Sequence, residues 1–239
     1  MTSADPTSPA VSVVIAVKNA ERYLAECLDS VAAQTFQDYE ILVVDGHSTD
    51  RTEAIARSYP KVCFLQQDGT GFQNGWNSGI RAAKGRYIAF VDSDDRWTPI
   101  KLEAQVAMLD ADPALEAVIG TMRFFMEPGE TPPPGFRDRV LGQDHVAQMP
   151  GVLMARSRLF EKIGLWGEDW QIASDIDWFL KLKDSGLPVG VVPELLLHKR
   201  VHSRNLSYVT ASDRIYPTEV LRLLHESIER KRAAARIQG

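Results

Sequence analysis

A chain of 239 residues, 44% hydrophobic and 8% aromatic, carries enough apolar material for one generous folded unit or two cramped ones. Its 27 Lys and Arg against 32 Asp and Glu leave a formal charge of -5, which excludes a polyanion-binding surface built from bulk charge, so nucleic acid is not an expected partner. Two cysteines, Cys27 and Cys63, cannot build a disulfide framework for a chain this long, and a reducing cytoplasm is the expected compartment.

Residues 1–10 are rich in Ser, Thr and Pro without a basic leader or an apolar stretch, so a disordered tail is expected there rather than a signal peptide. No window approaches the roughly 18 uninterrupted apolar residues that span a bilayer. Val11 to Val17 is a Val-rich, nearly continuous apolar run, the pattern of a strand buried on both faces. Asn19 stands where it can cap a helix whose Leu24, Cys27, Leu28 and Val31 recur as one buried stripe. Ile41 to Val44 predicts a second strand, Ser48 to Asp50 open a helix through Tyr59, and Val62 to Gln66 predicts a third strand. Asn74 to Ala83 predicts another helix and Tyr87 to Val91 a fourth strand. Strands alternating with helices over short links predict an α/β fold, with right-handed crossovers building a mostly parallel, Rossmann-like sheet flanked by helices.

After Asp95, Thr98 and Pro99 form a cap and first-turn pair for a helix carrying Leu102, Val106 and Leu109 on one face. Leu115 to Met126 reads as extended, and residues 127–135, with Pro128, Pro132, Pro133 and Pro134, as a loop. Met154 to Ile163 and Ile176 to Lys183 predict helices, and Val189 to Val192 and Leu195 to Val201 predict extended segments. Ser212 to Arg236 predicts a last amphipathic helix whose basic end holds Arg230, Lys231, Arg232 and Arg236. A solvated face is the plainer reading of that end; weak association with the anionic inner face of a membrane is the other. The whole reads as one unit with two functional halves, 11–96 and 97–210, followed by the helix of 211–239.

Ligands of open parallel sheets sit at the carboxyl ends of the strands. Asn19 and Glu21 follow the first strand, Asp45 to Asp50 the second, Gln67 and Asp68 the third, and Asp92-Ser93-Asp94-Asp95 the fourth. Three carboxylates in four residues repel one another, and a hard divalent cation, Mn2+ or Mg2+, would neutralise them. The plainer alternative is an acidic turn capping the Thr98 helix. Asp45 can accept a hydrogen bond from a ligand's N–H or hydroxyl group, with simple helix capping the competing reading for its segment.

Val11 to Asn19 with Glu21, the Asp45 to Asp50 segment, Asn77-x-Gly79-Ile80 with Ala83-x-Gly85, and Phe90-Val-Asp92-Ser-Asp94-Asp95 stand in one order and spacing. That series resembles the family 2 inverting glycosyltransferases, nucleotide-sugar enzymes of the GT-A fold, from about residue 11 to about residue 207. The resemblance implies a UDP-sugar donor bound by residues 11–96, with uracil near the first two strand ends. Ala16, Asn19, Glu21, Asn77 and Ser93 lie in the donor-binding blocks. Asp45 matches the position that pairs with uracil, Asp92 the aspartate near ribose and metal, and Asp94 the aspartate that binds the cation bridging the diphosphate. Residues 97–210 would hold the acceptor and the base that takes its proton. Asp175 matches that base, although Ser174 replaces the usual glutamate before it. Asp177 is the competitor; two residues along a helix it points about 200° away, so it is expected to hold the helix start or a basic neighbour. Arg200, or Lys199 beside it, would pair with phosphate, and His202 would contact phosphate or metal. Lys18 stands where many members carry an aromatic residue that packs on uracil, and Gln73, Asn74 and Trp76 replace a frequent arginine.

The expected reaction is a metal-assisted single displacement onto an acceptor hydroxyl, which inverts the sugar. A sugar-phosphate nucleotidyltransferase is the alternative enzyme, but Lys18-Asn19-Ala20-Glu21 is no glycine-rich phosphate loop. A noncatalytic nucleotide-sugar sensor would need no base. The acceptor, whether saccharide, lipid-linked glycan, peptide side chain or small molecule, has no readable motif.

Overall fold

The computed structural model describes residues 8–133, 136–170, 173–205 and 215–237. Strands β1 (Val11–Val17), β2 (Tyr39–Asp45), β3 (Val62–Gln66) and β4 (Tyr87–Phe90) pair in parallel in the order β3-β2-β1-β4. They are joined by helices α1 (Leu24–Ala32), α2 (Thr52–Arg57) and α3 (Phe72–Ala82). The second half adds β5 (Arg96–Trp97), α4 (Lys101–Ala111), β6 (Ala117–Phe125) and β7 (Asp144–Ala147). It continues through β8 (Met154–Arg156), α5 (Ser157–Ile163), α6 (Ser174–Asp184), β9 (Val189–Arg200) and α7 (Ile215–Ile237). One sheet runs β3-β2-β1-β4-β8-β6-β9-β5, with β7 paired to β6. It is parallel in the first half and mixed beyond, where β8 lies antiparallel to both β4 and β6.

β1 is buried on both faces, as its apolar run predicts. Val11, Val13, Ile15 and Val17 enter one core with Leu24, Cys27, Leu28 and Val31 of α1. Val14 faces the other core, which holds Trp76, Trp166 and Trp178. Glycines let α3 press directly on β1: a Cβ at Gly79 would lie 2.3 Å from Val14 Cγ1, and one at Gly75 2.9 Å from Ala16 Cβ. The second core is aromatic. Trp166 lies 4.7 Å from Trp178 of α6, 5.1 Å from Trp76 of α3 and 5.5 Å from Phe90 of β4, ring centre to ring centre. The start of α6 is thereby tied to the end of β4.

Several expectations change. Met154–Arg156 is strand, not helix, because its backbone pairs between β4 and β6. The two extended segments 189–192 and 195–201 are one strand, β9, with irregular register around Pro193 and Glu194. α2 begins at Thr52 rather than at Ser48 to Asp50. Asn19 does not cap α1; in the left-handed region at φ 50°, it accepts the Thr49 N–H at 2.9 Å. Thr98 does not cap α4, since its hydroxyl donates to Leu195 O at 2.7 Å. Ala10, the last residue of the expected tail, is buried, while residues 1–7 of it lie outside the described residues. The same holds for Pro134, Ser207 and the expected start of the last helix at Ser212. Among the described residues no helix is long and apolar enough to cross a membrane.

Candidate active site

The chain leaves β4 at Phe90, and a turn closed by the Asp95 N–H on Asp92 O at 3.0 Å gathers three carboxylates. Ligand oxygens of Asp92, Asp94 and Asp95 lie within 4.8 Å of one another. Asp92, Ser93 and Asp94 line a cleft of about 300 Å³, together with Asp175 from the first turn of α6, Lys199 from β9 and Asn205. Ala16 and Trp76 form part of its apolar wall. The structure thus brings Ala16, Asp92, Ser93, Asp94 and Asp175 into one space.

Lys199 Nζ donates to Asp92 Oδ2 at 2.8 Å and to Asp95 Oδ2 at 2.9 Å. Burial alone would lower its pKa, but the carboxylates around it outweigh burial and keep it protonated. Asp95 is fully buried, which raises its carboxyl, and its second oxygen accepts the Arg200 backbone N–H at 2.9 Å. Burial also acts upward on Asp94. There the bond from His202 and the charge of Lys199 prevail, so its carboxyl lies below the usual range. Asp94 Oδ2 is held by His202 Nε2 at 3.0 Å and Asn205 Nδ2 at 3.1 Å. Because His202 Nδ1 accepts the Arg204 N–H at 3.1 Å, Nε2 carries the proton and donates to Asp94. In that arrangement His202 orients the Asp94 carboxylate, its ring fixed between Asp94 and the Arg204 N–H.

Asp175 contrasts with Asp177. Burial, with Asp92 nearby, raises the Asp175 carboxyl; the bond from Ile176 N–H to its Oδ1, 2.8 Å, acts the other way. Asp177, 1% exposed, forms ion pairs with Lys181 at 2.5 Å and Arg230 at 4.0 Å, as expected of the partner that points away from the cleft.

Other expected donor contacts are committed elsewhere. The Arg200 guanidinium is 2% exposed and bonds Glu26 Oε2 at 2.5 Å, Glu127 and the Asp94 carbonyl, stacked over Tyr23 and Phe125. It is not at the cleft wall; Lys199 is. Asp45 accepts Ser48 N–H and Oγ–H at 2.9 and 2.5 Å and Gln66 Nε2 at 3.1 Å, so it fixes its own turn. Asn19 and Glu21 clasp the β2–α2 loop: Glu21 N–H donates to Asp50 Oδ2 at 3.0 Å and Glu21 Oε2 pairs with Arg51. Asn77 is buried and bonds Trp166 N–H, Trp166 O and Glu168, pinning the loop before α6.

A second cavity of about 620 Å³ adjoins the first through Ala16 and Phe72 at the ends of β1, β2 and β3. Lys18, Gly46, Gln67, Gln73 and Trp170 line it. Gln67 follows a strand end and was in view from sequence; Phe72, Met149 and Pro150, which also reach the first cleft, carry no signal beyond being apolar.

The first cleft fits a divalent cation. Asp92 and Asp94, 32% and 22% exposed, offer hard oxygens to it where diphosphate oxygens could complete a shell.

Comparison with known proteins agrees with this geometry. The profile of "Glycosyl transferase family 2" matches residues 12–170. The chain is 33% identical over 208 residues to an uncharacterized glycosyltransferase of Rickettsia typhi and 31% identical over 209 residues to one of Rickettsia prowazekii. Each alignment covers 82% of this chain and 65% of the relative, so the chain spans just under two thirds of their length. In fold it is similar to S. aureus TarS 1-349 in complex with UDP, with TM-score 0.65 at 22% identity, over 80% of this chain and 60% of that one. A mannosyltransferase of Pyrobaculum calidifontis, in complex with GDP-Man and Mn2+, gives TM-score 0.68 at 23% identity over 95% and 66%. With an α/β fold like these structures, an acidic turn at the end of β4 and a profile match over more than half its length, the chain belongs to glycosyl transferase family 2.

Proposed function

We propose that the protein moves a sugar from a UDP-sugar to an acceptor hydroxyl, with inversion, in a metal-assisted single displacement. The observation that carries this reading is the juxtaposition in one cleft of Asp175, a carboxyl raised by burial, with the acidic turn of Asp92 and Asp94. The UDP and UDP-GlcNAc complexes of TarS support a uridine donor, and the Mn2+ complex of the mannosyltransferase supports a divalent cation.

Residues 11–96 are the donor half and 97–210 the acceptor half in this reading. The nucleoside occupies the cavity at the ends of β1 to β3, lined by Lys18, Gly46, Gln67 and Gln73. Asp92 and Asp94 would hold Mn2+ or Mg2+, which supplies positive charge to the departing diphosphate. His202 and Asn205 keep Asp94 oriented. Asp175 takes the proton from the acceptor hydroxyl; its raised pKa makes it a better base than an exposed carboxylate. No protein nucleophile is required, and attack opposite the leaving group inverts the anomeric carbon. The free thiols Cys27 and Cys63 support a cytoplasmic location. Leu221, Leu224 and Ile228, exposed along α7, support weak contact with the inner membrane surface.

The test is Asp175→Asn. Turnover of the best donor from a nucleotide-sugar panel falls by about 10²- to 10⁴-fold, while calorimetry shows UDP binding with Mn2+ unchanged. Undiminished turnover removes Asp175 from the base role.

A further inference from the structure

Lys199 carries an inference that rests on the donor-site reading and goes beyond it. Its ammonium lies between two carboxylates of different character. Asp95 is fully buried and its other oxygen is taken by the Arg200 N–H, so that contact is an anchor. Asp92 is 32% exposed and lines the cleft, so that contact opens onto the space where a ligand sits. A divalent ion that uses the Asp92 carboxylate must share or displace Lys199 there. The ammonium also places a fixed positive charge on the cleft wall, where the guanidinium of Arg200, turned to Glu26 and Glu127, places none.

We propose that Lys199 is a positioning residue serving as the acidic turn's built-in cation: it weakens the hold on a divalent ion and attracts a diphosphate into the cleft before metal arrives. A purely structural lysine would behave differently. Its loss would disorder the turn and weaken both ligands, whereas a built-in cation makes the two effects opposite in sign.

Calorimetric titration of the full chain with MnCl2 alone, and with UDP alone in the presence of a chelator, separates these cases. Lys199→Met is expected to bind Mn2+ about tenfold tighter and metal-free UDP about tenfold weaker, and Lys199→Arg to stay near wild type in both. Unchanged or weaker Mn2+ binding by Lys199→Met overturns the proposal. Should that variant fail to fold, the wild-type protein answers by amine labelling read by mass spectrometry. Saturating Mn2+ should raise modification of Lys199 several-fold, and an unchanged rate overturns the proposal. Wild type that binds neither Mn2+ nor UDP brings down the donor-site reading and this one together. Wild type that binds both, with a Lys199→Met that shifts neither, brings down this one alone.

Discussion

At the ends of β1 and β2, the carboxylates of Glu21, Asp45 and Asp50 are committed to the chain's own donors. At the end of β4, Asp92 and Asp94 line an open cleft with Asp175 across from them. Both groups occupy the ligand edge of the sheet, and both look alike in sequence. The difference lies in what surrounds them. Asp45 and Asp50 each have a hydroxyl residue two or three positions on, Ser48 and Thr52, whose N–H and O–H close a local turn. Asp92 and Asp94 have no such closing residue, and their partners arrive from more than a hundred positions away on β9 and the segment after it. A carboxylate satisfied locally shapes a loop; one held only by distant groups remains open to a ligand.

The most severe test of that contrast is Asp94→Ala, which should weaken Mn2+-supported UDP binding by about a hundredfold or more in calorimetry. A milder loss would place Asp94 with the loop-shaping group. Next is Asn77→Ala, which strips a buried amide from Trp166 and Glu168. It should cost about 1–3 kcal/mol, lowering Tm by about 2–4 °C for each kcal/mol. Third is the stability of Asp175→Asn. Burial raises the folded-state pKa of Asp175 above its unfolded value, so ionisation as pH rises penalises the folded state. The variant should therefore melt above wild type at pH 7, by a margin that shrinks as pH falls toward about 4. A margin independent of pH would show that the carboxylate is not desolvated. The smallest effect belongs to Glu21→Ala, whose exposed pair with Arg51 is worth less than about 1 kcal/mol and whose loss should leave donor affinity unchanged. A fall in affinity would break the comparison by making Glu21 a donor contact.

Much of the first half was legible because burial there follows local period. The four buried residues of α1 are the four its spacing selects, and β1 and β3 have the bounds expected of them, Val11–Val17 and Val62–Gln66. In the second half, pairing overrides pattern. Met154-Ala-Arg156 is compatible with a helix, yet it becomes a strand because β4 and β6 leave a gap that only an extended backbone fills. β5 and β7, two and four residues long, are too short to show a period. At the site, the acidic turn and Asp175 were in view from sequence. That Arg200 points inward while Lys199 points to the cleft was not, since it depends on alternation along β9 after an irregular register.

The bond from Asn77 to Trp166 joins helix α3 to the loop preceding α6 across 89 positions of chain. The proline-rich stretch after β6, residues 128–132, supplies neither end of that bond, so it can lengthen, shorten or be exchanged while the loop ahead of α6 stays docked on α3. The architecture separates what must be kept rigid from what is free to diversify, and a loop-swap library confined to residues 128–132 would spare both Glu127 on Arg200 and the pairing of β7 with β6.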